Sequence, residues 1–447
     1  MFGLETVIVF LAAIVCGTIS GIMPGVGGMA VMLMAYPFLI EIQPHNILIF
    51  YVAMVSIDQF FGGITAIVFG VPGSSSAVPS AMEGHTLFKN GKSSEAIMFS
   101  AIGSWFTSLF GVLLIIAMIP LLFMVYKVWN STVQMAIFGF TSIAIIWISK
   151  NKLLVSVGLF IFGNLLGKVG YDTYTNDSFM TFDTPLLYPG LPVMPVVTTM
   201  FVIPLLIGSL RKGATVFEFP GVTLEGYIES FRKIKKYLST LVRAGLLGSI
   251  GGFVPGMSYG MSSILAYTVE KWIQIRKGSY RQGKGDMPSL IASEGANNAG
   301  TFTQLVPLLF LGIPITVSEA LIYNILDTRG YPVTIEWFQS TFIMIIVFFL
   351  ISATIGLFAA GRYVNLMRVL NNLKIKWVYL GVVLFLFGAI YYVGNQTLAG
   401  FEHLTITAML LPIGLLLYRM DTMPLIYGFI LHDKLFEIAI RVWIMYT

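Results

Sequence analysis

Ionisable residues within apolar surroundings are few in this 447-residue chain, which makes them informative. Glu294 stands with the paired Asn297 and Asn298 in Ser293-Glu294-Gly295-Ala296-Asn297-Asn298-Ala299-Gly300, ahead of a break in the second half. Asp58, in Val55-Ser56-Ile57-Asp58-Gln59, lies at the corresponding place in the first half of the chain. Carboxylate and amide oxygens of this kind suit a small hard cation or a titrating proton. A second group has the opposite bias. Ser74-Ser75-Ser76 follow Pro72-Gly73, and Thr316 and Ser318 follow Pro314, which places hydroxyls where a helix restarts after a break. A restarting helix offers unpaired N–H groups and the positive end of its dipole, and a carboxylate is the natural guest. Glu319, Glu402 and Glu437 have weaker claims and read as loop-side or interfacial.

The elements that must position these groups are broken helices, and they come in pairs. Gly17-Thr18-Ile19-Ser20-Gly21-Ile22-Met23-Pro24-Gly25 is echoed by Gly248-Ser249-Ile250-Gly251-Gly252-Phe253-Val254-Pro255-Gly256, and in the same register Ala35-Tyr36 meets Ala266-Tyr267. Gly70-Val71-Pro72-Gly73-Ser74-Ser75-Ser76 is echoed by Gly312-Ile313-Pro314-Ile315-Thr316-Val317-Ser318. Breaking a helix inside a bilayer frees backbone groups that lipid cannot satisfy, so a break must face protein or a water-filled cavity. A lone Pro-Gly is a kink, whereas four breaks in paired register point to the binding centre of a secondary transporter. Pro24-Gly25-Val26-Gly27-Gly28 and Pro255-Gly256-Met257-Ser258 carry no charge and little side chain, as expected where backbone approaches an ion or substrate closely. The glycines at 17, 21, 248 and 252 also form small faces on which helices pack.

Composition sets the surroundings. With 57% hydrophobic and 11% charged residues, and a mean hydropathy of +0.86, the chain is not a soluble globule, in which about 25% of residues are charged. Stretches such as 342–360 are apolar all round, which excludes the alternating pattern of a membrane barrel. The fold class is therefore an all-α polytopic membrane protein. The single cysteine, Cys16, rules out an internal disulfide, and the scattered histidines His45, His85, His403 and His432 imply no metal site. Glu5 stands where a secretory signal carries Lys or Arg, so the N-terminal apolar stretch reads as retained structure. The net charge of +5 is spread over loops and bears on orientation, not on nucleic acid.

The charges around the breaks suggest how the halves are related. The block 4–40 has acidic flanks, Glu5 and Glu41, whereas 242–270 is flanked by Arg232-Lys233 and Lys235-Lys236 and by Lys271 to Lys284. Each block reads as a re-entrant hairpin, the first outside and the second on the cytoplasmic side, the alternative being two full spans in each, which changes the span count but keeps the symmetry. Two inverted-topology repeats follow, each with two discontinuous elements, in about 10–14 membrane segments. Residues 1–212 form the first repeat, 213–240 a basic cytoplasmic linker and 241–447 the second. In the first repeat a span at 44–61 precedes a broken element at 62–82, with further spans near 95–123, 131–149, 153–168 and 192–210. In the second, spans near 288–308 and 337–360 flank a broken element at 309–326, and spans near 377–394, 403–418 and 422–445 follow.

Two other function classes can be weighed on the residues. Gly283-Lys284-Gly285-Asp286 spells the GxGD of intramembrane aspartyl proteases, with Tyr171-Asp172 as a Tyr-Asp, but such chemistry needs two facing carboxylates in apolar helices, and here both sit in polar loops on opposite faces. An enzyme is not expected. A carboxylate-selective channel or facilitator without ion coupling is the alternative to a transporter, although paired discontinuous helices suit alternating access better than a permanent pore.

At these same residues the chain resembles the TctA family, the large membrane subunit of the tripartite tricarboxylate transporters. The matching phrases are Gly21-Ile22-Met23-Pro24-Gly25-Val26-Gly27, Phe61-Gly62-Gly63-Ile64 through Gly70-Val71-Pro72-Gly73-Ser74, Val254-Pro255-Gly256, Glu294-Gly295-Ala296-Asn297-Asn298-Ala299, Leu311-Gly312-Ile313-Pro314 and Met423-Pro424-Leu425-Ile426-Tyr427-Gly428. The chain departs from the family pattern at Phe61, Glu83, Ser293 and Ile315. The resemblance implies import of small carboxylates across the cell inner membrane, coupled to Na+ or H+, with no cofactor. It also implies two partners, a small membrane subunit and a periplasmic substrate-binding protein. No GxxxxGK[ST] motif for ATP occurs, in keeping with an ion-gradient drive.

Overall fold

In the computed structural model the described residues are 3–23, 27–70, 72, 75–128, 130–172, 177–210, 224–254, 257, 259–331, 335–370, 375–396 and 399–446. The protein is 84% helical. Five described helices are long and apolar enough to cross a membrane, and five shorter apolar helices accompany them. The expected all-α membrane fold is the observed one.

The chain begins with α1 (Leu4–Ile22), α2 (Gly27–Leu39) and α3 (Pro44–Phe69). A 3-10 turn (Ser75–Ala77) and a π turn (Ser80–Gly84) lead through α4 (His85–Leu87) and a second π turn (Phe88–Lys92) into α5 (Ser93–Lys127). Next come α6 (Ser131–Ile148), α7 (Leu153–Gly167), a small hairpin of β1 (Gly170–Asp172) and β2 (Asp177–Phe179), α8 (Val193–Val197) and α9 (Ile203–Leu210). The second half runs through α10 (Leu224–Lys233), α11 (Leu238–Phe253), α12 (Tyr259–Arg276), α13 (Met287–Thr303), α14 (Leu305–Leu311) and α15 (Val317–Thr328). It ends with α16 (Ile335–Leu370), α17 (Ile375–Asn395), α18 (Gly400–Leu416) and α19 (Met423–Tyr446).

One boundary differs from the sequence reading. The span expected at 44–61 runs on to Phe69, because α3 passes without interruption through Gly62-Gly63, so the broken element expected over 62–82 breaks at Gly70, where its repeat phrase begins. Gly63 serves packing rather than bending: a Cβ there would collide with the Glu294 carboxylate. The helix ends at Gly70, which adopts a left-handed φ of 66° and is followed by Pro72, a residue unable to continue a helix. Gly312, at the end of α14, has φ 70° ahead of Pro314, so both halves stop their helix with the same device.

α3 is apolar on every side, and 94% of its most apolar window is buried, as expected of a central helix. By contrast only 28% and 22% of the corresponding windows are buried in the helix ending at Lys127 and in α6, which expose Leu113, Leu121, Met124, Phe140 and Trp147. Apolar surface on that scale faces lipid. α1 packs on α3 and α11 on α13 through matching glycines. A Cβ on Gly21 would sit 2.7 Å from the Phe61 Cβ, and one on Gly248 would sit 2.7 Å from the Ala296 Cα. The halves also exchange elements: α5 packs on α13, α16 on α3, α12 on the Ser75–Ala77 turn and α2 on α15.

Candidate functional site

Where α1, α3, α13 and the Ser75–Ala77 turn meet, a hydrogen-bonded network crosses the interior. The Ser20 hydroxyl on α1 and the Gln59 amide on α3, the latter at 2.8 Å, both donate to the Asp58 carboxylate. Gln59 Oε1 accepts from the Ser76 hydroxyl at 2.9 Å and from the Asn297 amide at 2.8 Å. The Ser76 carbonyl in turn accepts from Ser263 of α12 at 2.8 Å. Asp58, Gln59, Ser76 and Asn297 are all buried. The start of α2 closes one side, since a Cβ on Gly28 would lie 3.6 Å from Asp58 Oδ2, and Gly27 has the left-handed φ of 62°. The structure therefore joins Gly28, Asp58, Ser76 and Asn297 around Gln59.

Glu294 lies one turn before Asn297 on α13, fully buried against Gly63 of α3. Its Oε1 accepts from the Ser80 hydroxyl, and Asn298 donates its amide to the Glu294 carbonyl at 3.1 Å. Glu294 Oε2, Asn297 Oδ1 and Asn298 Oδ1 have no hydrogen-bond partner among the described residues. Leaving one buried acceptor unpaired costs about 1–3 kcal/mol, and here three oxygens share one helix face. Glu294 is not the counterpart of Asp58. Asp58 stands about three turns before Gly70, whereas Glu294 stands about five turns before Gly312.

The second-half break is built differently from the first. Thr316 caps α15 by accepting from the Glu319 N–H at 3.4 Å, while Glu319 Oε2 accepts from the N–H groups of Ile315 at 2.9 Å and Thr316 at 3.1 Å. Glu319 is thus wholly buried rather than loop-side, and it occupies the helix start that Thr316 was expected to offer to a substrate anion. The carbonyl of Pro314 accepts from Tyr427 at 3.0 Å, and the Ser318 hydroxyl faces the Met29 sulfur of α2 at 3.8 Å. Pro72 is described; Pro24, Gly25, Gly73, Ser74, Pro255, Gly256 and Ser258 lie outside the described residues, as does the Ser75 side chain.

Sequence reasoning passed over Gln59, Ser20 and Ser80, and it put Glu319 at a loop or interface. The Thr316-x-x-Glu319 spacing of a capping box was the signal available for Glu319. A serine or glutamine inside an apolar helix carries no comparable signal.

A polar belt at one end ties the halves together. Glu83 accepts from Tyr267 at 2.9 Å, from Lys271 at 3.4 Å, from Tyr280 at 3.3 Å and from the Asp286 N–H at 3.0 Å. Asp286 caps α13 by accepting from the Ser289 N–H at 2.9 Å. Burial pushes the Asp286 carboxyl above the usual carboxylate range, and the charges of Glu83 and Glu270 act in the same direction, against the hydrogen bonds from Ser289. Beside it Glu270 is held by Arg243 at 2.7 Å and Gln274 at 2.7 Å.

No solved structure matches this chain. An uncharacterized 52.8 kDa protein from the TAR-I region of Agrobacterium vitis is 28% identical over 321 residues, covering 71% of this chain and 62% of the relative. An uncharacterized protein of Methanocaldococcus jannaschii is 23% identical over 308 residues, covering 68% of each. The chain thus spans about three-fifths of the first relative and two-thirds of the second. The model of the tripartite tricarboxylate transporter TctA family matches residues 7–427, nearly the whole chain, and the protein belongs to that family.

Proposed function

We propose that the protein is the large permease subunit of an ion-driven importer of small carboxylates in the cell inner membrane. It works with a small membrane subunit and a periplasmic binding protein. The observation that carries this reading is the Asp58–Gln59–Asn297 network, which links the helix ahead of the first break to the helix ahead of the second, inside a membrane protein of a tricarboxylate transporter family. Di- and tricarboxylates are the substrate class. The first-half break, with Pro72, Gly73, Ser74, Ser75 and Ser76, supplies the hydroxyls and helix start that hold the anion. Pro24, Gly25, Gly27, Gly28, Pro255, Gly256 and Ser258 give the backbone room to approach it. Asp58, Glu294, Asn297 and Asn298 bind the coupling ion, Na+ or H+. Pro314 and Ser318 line the opposite side.

Residues 1–212 and 241–447 act as inverted-topology repeats, with 213–240 as the linker. The matched glycine caps at Gly70 and Gly312 and the reciprocal packing of α5 on α13 and α16 on α3 support that arrangement. Rocking of one repeat against the other then exposes the shared network to each side in turn. The test is coexpression of the three components followed by uptake of labelled citrate and succinate. Saturable uptake that disappears when this chain is omitted is expected, and equal uptake with and without it overturns the reading.

A further inference from the structure

The second-half break carries a buried polar group that the proposed coupling set does not use. Glu319 is 0% exposed, and only its Oε2 is satisfied, by the N–H groups of Ile315 and Thr316. Its Oε1 has no hydrogen-bond partner among the described residues, and the Gln304 amide, at the junction of α13 and α14, is also 0% exposed. The Tyr51 hydroxyl of α3 is set beside Gln304 and Thr316, within reach of the Glu319 charge. A buried carboxylate satisfied on one oxygen, with a neutral amide and a hydroxyl in the same region, is costly unless something of opposite charge completes it.

The surrounding backbone gives the sign of that missing charge. The N–H groups that would receive an anion are already taken by Glu319 itself. α14 ends at the break with Gly312, so its C-terminal carbonyl end, the negative end of the helix dipole, lies there. None of the ion pairs among the described residues includes Glu319. A single carboxylate with neutral oxygens suits a monovalent cation better than Ca2+ or Mg2+, which draw on several carboxylates or waters, and no cluster of three acidic, His or Cys side chains occurs among the described residues.

We propose that the second-half break is a cation site in which Glu319 Oε1, Gln304 Oε1 and the Tyr51 hydroxyl bind a monovalent alkali cation, separately from the Asp58–Glu294 set. The proposal rests on the transport reading and extends it: the first break receives the anion and the second a cation. A polyvalent carboxylate crossing the membrane is thereby accompanied by more than one positive charge.

The test is thermal unfolding of the purified full chain at fixed pH and ionic strength, titrated with NaCl or KCl against choline chloride. Glu319→Gln keeps an acceptor for the Ile315 and Thr316 N–H groups, and Gln304→Met keeps the side-chain volume, so both leave the break intact. Wild-type protein is expected to gain thermal stability with one alkali cation. Each variant is expected to raise the half-saturating concentration about 10-fold, the equivalent of about 1.4 kcal/mol. Cation dependence that is unchanged in both variants, or absent from the wild type, overturns the site. Labelled-carboxylate uptake by the wild-type protein, measured alongside, separates that result from failure of the transport reading, because uptake persists when only this site is wrong.

Discussion

The Asn297 amide donates to Gln59 Oε1 at 2.8 Å, so a side-chain contact connects α3, which runs into the first break, with α13, which leads through α14 to the second. Gln59 also donates to Asp58 at 2.8 Å and accepts from Ser76 at 2.9 Å, which makes it the junction between the coupling carboxylate and the first break. Asn297→Ala removes one of its two acceptor contacts inside a buried network. The expected cost is about 1–3 kcal/mol of stability, read by thermal unfolding in detergent, together with a loss of transport larger than that seen for Asn324→Ala, which lies away from the network.

Replacing Ser74, Ser75 and Ser76 together by alanine removes the hydroxyls of the first break while leaving Pro72 and Gly73 in the sequence. The apparent KM for the carboxylate is expected to rise at least about 10-fold, the loss of one to two hydrogen bonds to a charged group, alongside a stability cost of about 1–3 kcal/mol from the lost Ser76–Gln59 contact. Unchanged uptake kinetics would remove these serines from the site.

Helix contact through glycine gives a prediction that does not depend on function. At Gly21 an added Cβ would fall 2.7 Å from the Phe61 Cβ, whereas at Gly139 nothing lies within 4 Å. Gly21→Val is expected to destabilise by about 1–3 kcal/mol through overpacking, and Gly139→Ala to be neutral or stabilising by less than about 1 kcal/mol. Melting curves of the two proteins check both signs, and equal melting temperatures would contradict the packing.

The pH dependence of stability has a contribution from the polar belt. The pKa of Asp286 is raised in the folded state, chiefly by burial, so its contribution is fully present below the ordinary aspartate value and is lost as pH rises through the raised one. Asp286→Asn keeps an N-cap acceptor for Ser289 and removes the titration. The variant is expected to unfold with a flatter stability profile across that acidic window, at a cost of no more than about 0.5 kcal/mol near neutral pH. A profile identical to wild type would show that Asp286 does not titrate differently on folding.

Much of the architecture was legible because breaks in apolar helices are written in two residue types. Pro72 and Pro314, each following a glycine by two positions, marked the ends of α3 and α14, and Gly17, Gly21, Gly248 and Gly252 marked the close helix pairs. The break itself fell where Gly70 and Pro72 put it, but the span before it was drawn too short at 44–61, since α3 stays helical through Gly63, where the missing side chain makes room for Glu294. Glu319 was misread for a different reason: a lone carboxylate after Pro314 looks like a loop residue until its capping contacts are seen. The equivalence of Asp58 and Glu294 also fails, because proximity to a break in sequence does not specify the turn of the helix. What the residues could not convey was pairing across the halves, such as Gln59 with Asn297 or Ser80 with Glu294, which depends on how α3 and α13 pack.

The central claim, coupling of carboxylate movement to an ion at the shared network, is tested most directly in vesicles. Vesicles containing this chain, the small membrane subunit and the binding protein would be given labelled carboxylate under an imposed Na+ gradient, an imposed H+ gradient or neither, with Glu294→Gln run in parallel. Accumulation against the substrate gradient under one ion alone, with that dependence altered in Glu294→Gln, is the predicted result. Downhill flux indifferent to both gradients would contradict coupling and leave a channel or facilitator in its place.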